Sequence, residues 1–376
     1  MVNAKRFYVY GVLGVALALL LWGTTSVLGW ALRAVGAALG SGEVVVAEVA
    51  RDELSLAVAF MLVALPVLAI HLWLIQRTLG ESPAVAADER ASTARSAYFV
   101  LVLTVTGAVA VLQLYEVVQQ LAGAALANDR VHGLAVATAA VVVTGLAWSA
   151  HVMWRRSDFR AEPARTADDW LTRAYLYGGL FLTAVLLAYW LSEILMVLSS
   201  EVAGARARWE PWQDDIVSPI AGAVGSAVGW SANWALALWL VRADGPLGQA
   251  HRASRTRVGY FLAVLLVGAA AALVLVSASA SSLLAEVLGV WQPNEGSRLL
   301  EDVAGPVLMA LPFALFAWWH RRRALGEALA FEGPGRLEAA RRSTLYVVAF
   351  VGLAGSAVGT FMAAQGVIDY AGASTA

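Results

Sequence analysis

Nine Ala-, Leu- and Val-rich stretches of about 20 residues or more set the limits on what this chain can become. They run roughly over 7–30, 54–76, 97–124, 132–154, 174–199, 216–241, 258–285, 303–320 and 344–368. A helix rises 1.5 Å per residue, so each stretch covers the ~30 Å hydrocarbon core of a bilayer. Barrel strands would alternate apolar and polar residues over ~10 positions, and these runs do not. A helix in lipid also satisfies its own backbone groups. The sequence therefore predicts an all-α integral membrane protein with nine transmembrane helices. Only 14% of the 376 residues are charged, against about 25% in soluble domains, and mean hydropathy is +0.69.

The charges sort by side. The N-terminus and every second loop (77–95, 155–173, 242–257 and 321–342) hold 20 of the 26 Lys and Arg residues. The opposite side holds Arg33, Arg51, Arg130, Arg206, Arg208 and Arg298, together with 14 acidic residues. The positive-inside rule predicts a cytoplasmic N-terminus, and nine spans then put the C-terminus outside. Lys5 and Arg6 before an apolar run resemble a signal peptide, but the run is longer than a typical signal core. It also opens Arg6-Phe7-Tyr8-Val9-Tyr10, like later helices, and is read as a retained half-repeat.

A pattern recurs along the chain. Acidic residues (Asp52/Glu53, Asp129, Asp214/Asp215 and Glu301/Asp302) stand before four apolar helices that end in Trp or His with Arg. A polar stretch follows each, and a second helix opens with Arg and Tyr. The aligned tyrosines are Tyr98, Tyr175, Tyr260 and Tyr346, at nearly equal intervals. The reading is one helix (1–40) followed by four tandem hairpins, at 51–127, 128–205, 213–290 and 300–372.

These segments resemble an uncharacterised prokaryotic membrane family, domain-of-unknown-function family 5671. The matching openings are Arg95 to Tyr98, Arg173 to Tyr177, Arg257 to Tyr260 and Arg342 to Tyr346. The matching helix ends are His71-Leu72-Trp73, His151 to Trp154, Trp230 to Trp239 and Trp318-Trp319-His320. In this alignment Asn233 and Ala317 occupy the places of His71 and His151. The resemblance implies a multi-pass protein of a prokaryotic plasma membrane and no particular activity.

Candidate chemistry is sparse. Cysteine is absent, which removes thiol catalysis, disulfides and thiolate metal sites. Walker A, HExxH, GxSxG and dinucleotide fingerprints are absent too. A net charge of −1 gives no global attraction for nucleic acid. His71 and His151 hold equivalent places at helix ends; on neighbouring helices they would ligate a haem or metal, or hold a quinone. The plainer reading is an interfacial His beside Trp and Arg. Glu116 and Glu193 are the two carboxylates well inside apolar runs, each roughly five helical turns beyond an aligned tyrosine. They are the candidate proton or cation site, weighed against a snorkelling Glu near the outer interface.

Trp73, Trp154, Trp239, Trp318 and Trp319, with Tyr98, Tyr175, Tyr260 and Tyr346, read as interfacial anchors whose amphipathic rings sit among headgroups. An anionic lipid held by the inner basic side is the functional alternative. Two outer segments, Trp209 to Asp215 and Trp291 to Glu295, combine acids and aromatics without calcium-loop spacing. Pro66, Pro306 and Pro312 are candidate kinks. Ala221 to Gly229, and Gly352, Gly355 and Gly359, form small-residue faces for close helix packing. Metal and catalytic residues are predicted to be none. With midplanes almost wholly apolar, the leading expectation is a non-enzymatic scaffold or accessory membrane component. Its partners would be the lipid bilayer and a membrane-protein companion or a second copy of itself. Ion translocation by Glu116 and Glu193 is the second expectation, and haem or quinone binding the third.

Overall fold

The computed structural model describes residues 2–38, 47–127, 133–167, 169–202, 212–287, 303–332 and 342–355. The described residues are 96% helical and hold no strand. The helices are α1 (Val2–Ala38), α2 (Ala47–Glu81), α3 (Pro83–Arg90), α4 (Thr93–Ala122), α5 (Leu134–Ala161) and α6 (Pro163–Thr166). They continue as α7 (Trp170–Val202), α8 (Trp212–Arg242), α9 (Gly245–Arg252), α10 (Arg255–Val287) and α11 (Gly305–Glu332), with α12 (Arg342–Gly355) last. Asp129, His132, Glu301, Asp302, the Trp209–Pro211 and Trp291–Glu295 segments, Gly359 and the end of the ninth apolar run lie outside the described residues.

Seven helices are long and apolar enough to cross a membrane. Their apolar windows are only 17–44% buried against protein. Leu62, Leu146, Val274 and Leu315 are exposed. Water tolerates apolar patches of a few hundred Å², whereas here whole helix flanks are uncovered, and lipid is the solvent that removes the penalty. The eighth and ninth expected spans fall outside this set. Pro306, Pro312, Trp318, Trp319 and His320 dilute the apolar content of α11, and α12 is described only from Arg342 to Gly355, too short to cross. Pro66 and Pro312 lie inside helices that continue past them, as does Pro219; Pro306 stands in the first turn of α11, where its missing N–H is not needed.

The chain forms two compact units. One comprises Met1–Gly179 and Val228–Ser254. Within it α1 is central, packing against α2, α4 and α5, while α4 packs on α5. Its core joins Tyr10 and Leu13 of α1 to Ile75 of α2 and to Ala94, Tyr98, Phe99 and Val102 of α4. The other unit comprises Leu180–Ala227 and Arg255–Ala376, with α10 packed along α11.

Small residues permit the close approaches. A Cβ on Gly23 would lie 2.7 Å from the Ala57 carbonyl oxygen, bringing α1 against α2. A Cβ on Gly268 would lie 2.8 Å from the Phe313 carbonyl oxygen on α11. Gly222, in the small-residue face of α8, lies under the Trp190 ring, which an added Cβ would meet at 2.3 Å.

Polar turns set the short helices. Ser82 caps α3 by accepting from the Val85 N–H at 3.3 Å, with Pro83 in the first turn. Ser92 caps α4 in the same way through the Arg95 N–H at 3.4 Å. Asp169 stands before α7 and accepts from the Thr172 N–H at 3.3 Å.

Candidate functional site, a buried ionic hub

The antiparallel order of helices brings one end of each to the same place. The N-terminal ends of α1, α4 and α7 meet the C-terminal ends of α2 and α5, with α3 between. These are the Arg-rich ends; Arg77, Arg160 and Arg165 are exposed there, while Glu89, Arg95, Arg155 and Asp158 are inside the protein. Arg95 of α4 is fully buried, and Asp158 of α5 is 2% exposed. The guanidinium donates to Asp158 through Nε at 2.7 Å and Nη2 at 2.9 Å, a two-pronged pairing matched to the carboxylate's shape. Nη1 donates to Tyr10 Oη of α1 at 2.8 Å, and Tyr10 in turn donates to Glu89 Oε1 of α3 at 2.7 Å. Arg6 closes the chain, donating to Glu89 Oε2 at 2.8 Å and Asp88 Oδ2 at 2.6 Å. The Arg6 hydrogen bond holds the exposed Asp88 carboxyl below its ordinary pKa.

Arg155 extends the hub on the other side. It donates to Ser96 Oγ at 2.9 Å and to the Arg90 carbonyl at 3.3 Å, and lies 3.5 Å from Asp158. It also pairs with Asp169, so the carboxylate that caps α7 anchors Arg155 as well. The aromatic floor is matched to these cations. Arg95 lies 4.9 Å from the Trp154 ring centre and 5.5 Å from Phe99. Arg155 lies 4.6 Å from Phe159 and 5.4 Å from Phe99. Away from water such contacts add to the ion pairs. A pocket of about 110 Å³ beside Arg155 is lined by Thr93, Ser96, Thr166, Asp169 and Trp170.

One turn further along α4, the Tyr98 hydroxyl meets His151 Nε2 at 2.9 Å, while His151 Nδ1 meets the Ala147 carbonyl at 2.7 Å. A carbonyl can only accept, so Nδ1 carries a proton, and in the neutral ring Nε2 accepts from tyrosine. Both ring nitrogens are engaged. The second unit holds a near-copy. Tyr260 Oη meets His320 Nε2 at 2.7 Å, and His320 Nδ1 meets the Phe316 carbonyl at 2.8 Å. Arg257 pairs with Glu327, which also accepts from Arg323 Nε at 2.8 Å.

His71 does not join His151: α1 packs against both α2 and α5, which are not themselves a packed pair. His71 Nδ1 bonds the Val67 carbonyl at 2.8 Å, and its ring lies 6.3 Å from Tyr8. The histidine with the environment of His151 is His320, just beyond Ala317, where the hairpin alignment put the equivalent. Glu116 is exposed on α4. Glu193 is half-buried on α7, in the other unit, and accepts from Tyr189 one turn earlier.

Among the expected anchors, Trp73, Trp318 and Tyr346 are exposed. Arg77 lies 5.6 Å from the Trp73 ring, and Arg322 the same distance from Trp318. Tyr98 and Tyr260 are interior residues rather than headgroup contacts. Tyr175 is half-buried and accepts from Trp148 Nε1 at 2.9 Å. Trp154 covers Arg95, Trp239 carries Arg156 at 4.4 Å, and Trp319 meets His320 edge-on at 4.8 Å. Among the described residues no group of three or more His, Asp or Glu is placed to hold a metal ion.

Sequence reasoning missed the buried carboxylates Glu89, Asp158 and Glu327 and the half-buried Asp169, assigning them to loops because they lie past the apolar runs. One signal was available. Asp158 and Glu327 each lie two helical turns after a histidine, on that histidine's face.

Residues 6–135, about a third of the chain, match a family model described as Domain of unknown function (DUF5671). The match starts at Arg6, takes in Tyr10, Glu89, Arg95 and Tyr98, and stops short of His151 and Asp158. No curated protein and no solved structure matches the chain.

Proposed function

We propose that this chain is a non-enzymatic, multi-pass membrane protein that serves as a scaffold or accessory component for other membrane constituents. The observation that carries the reading is the hub, whose arginines are paired with carboxylates inside the protein. At the Arg-rich end, where a transporter or enzyme would present charge to a ligand, Arg6, Arg95 and Arg155 are spent on Glu89, Asp158, Asp169 and two aromatic faces. The adjoining pocket, about 110 Å³, is below the ~300–1,000 Å³ typical of small-molecule sites. Buried charges paired this way specify one arrangement of helices.

The same reading takes nine spans in a prokaryotic plasma membrane, with the Arg-rich end and N-terminus in the cytoplasm, on the sequence pattern and the positive-inside bias. It needs no haem. An iron ligand requires a nitrogen lone pair, and the Nε2 pair of His151 is occupied by Tyr98.

The test is flux. Purified protein in liposomes under proton, sodium or potassium gradients should leak no faster than protein-free vesicles. A flux abolished by Glu116→Gln together with Glu193→Gln would replace this reading with ion translocation.

A further inference from the structure

We infer that the repeating unit of this protein is four long helices rather than a hairpin, that it occurs twice, and that each copy carries its own Arg–Tyr–His–carboxylate lock. This reading of the architecture is independent of the scaffold function. The first copy runs from Arg6 to α5 and the second from Arg173 to α11.

The sequence carries the register. Arg90-Ala91-Ser92, then Arg95 and Tyr98-Phe99, reappear as Arg252-Ala253-Ser254, Arg257 and Tyr260-Phe261, every position moved by the same shift. His151 and Asp158 reappear as His320 and Glu327, again by one common shift, slightly longer than the first. Arg6 and Tyr10 reappear as Arg173 and Tyr177, by a common shift between those two. A third opening of the same form, Arg342 and Tyr346, follows Arg173 and Tyr177 at the separation of the two histidines. The small differences between these shifts fall in the connections, where insertions cost little.

The geometry carries it further. α3 and α9 are both eight residues long and end on alanines at φ −90°, ψ 0° and φ −82°, ψ 1°. The Tyr–His rings are 5.7 Å apart in the first lock and 5.4 Å in the second. The Phe–His rings are 6.2 Å apart in both. The arginine lies 5.5 Å from its phenylalanine in one and 5.7 Å in the other. In both, the carboxylate also meets a second arginine of its own helix, Arg155 for Asp158 and Arg323 for Glu327. A hairpin period would give Tyr175 a histidine partner, yet its hydroxyl accepts from Trp148. The locks occur at every second hairpin.

Two measurements test this on the full chain in mild detergent. Tyr98→Phe and Tyr260→Phe each leave a buried histidine nitrogen without its donor, so each should lower Tm by about 2–4 °C. The two losses should add in the double variant, and Tyr346→Phe should leave Tm unchanged. A Tm unmoved by Tyr260→Phe, or lowered as much by Tyr346→Phe, overturns the proposal. The second measurement does not depend on a variant's stability. Nitrogen-15 spectra of histidine-labelled wild-type protein should show His151 and His320 as the same neutral tautomer, protonated on Nδ1 and hydrogen-bonded at Nε2. Opposite tautomers, or a free Nε2 at His320, would overturn the equivalence of the two locks.

Discussion

Asp158→Asn is the most informative perturbation of the hub, because the structure predicts an asymmetry as well as a size. The Asp158 carboxylate accepts two hydrogen bonds from Arg95, at 2.7 and 2.9 Å, and lies 3.5 Å from Arg155 and 4.0 Å from Arg90. Hydrogen bonds to charged groups contribute about 1.5–3 kcal/mol each, and unpairing a buried ion costs about 3–5 kcal/mol. Asparagine keeps the shape but removes the charge and puts an amide N–H₂ where an acceptor oxygen faced Arg95. The expected loss is about 3–5 kcal/mol, a large part of a typical stability of about 5–15 kcal/mol. Arg95→Met should cost less, about 1–3 kcal/mol, because Asp158 keeps Arg155 and Arg90 as counter-charges. Denaturant titration in mild detergent, followed by tryptophan fluorescence, measures both. A loss under about 1 kcal/mol for Asp158→Asn, or a larger loss for Arg95→Met, would refute the view of Asp158 as the counter-ion shared by three arginines.

Tyr10→Phe removes the link between Arg95 and Glu89 and should cost about 1–2 kcal/mol in the same assay, with Glu89 still held by Arg6. Gly23→Ala and Gly268→Ala each drive a methyl group against a backbone oxygen and should lose about 1–3 kcal/mol, measured as a lower Tm. Trp154→Ala, which uncovers Arg95, should destabilise by about 3 kcal/mol, whereas Trp73→Ala on the exposed flank of α2 should stay within about 0.5 kcal/mol. Arg6 depresses the Asp88 pKa, so their pairing supports the fold above about pH 4 and is lost as pH falls below that. Arg6→Gln should therefore lower stability at pH 7 and narrow its difference from wild type in acid; an unchanged difference would show that the pair contributes nothing.

The helical, membrane-spanning character was legible because apolar length is a one-dimensional signal. The family resemblance was read from Arg/Tyr openings and Trp/His helix ends over nearly the whole chain, whereas the family model matches residues 6–135 alone. The hub was not legible, because its members lie at helix ends where charge is expected on hydration grounds alone. Arg95 and Asp158 are 63 residues apart; the short connection makes their helices neighbours, but nothing in the sequence signals that these two side chains meet. Tyr98 was read as a headgroup anchor from its place beside Arg95. Its hydroxyl instead faces His151, since the core side of α4 includes Ala94, Tyr98 and Val102, at helical spacing. On the four-helix reading, α2 is what makes the hairpin period attractive. His71 ends that helix with the same residue types as His151, so the two hairpins look equivalent, although it is α5 and α11 that carry the carboxylate two turns on.

The accessory role is tested most directly by isolating the full chain from its native membranes in mild detergent and weighing the intact particle by mass spectrometry. The account predicts a reproducible, stoichiometric membrane-protein companion, retained by the wild type and by Glu116→Gln with Glu193→Gln alike. A chain recovered alone, in one or several copies, and conducting ions once reconstituted, would contradict it.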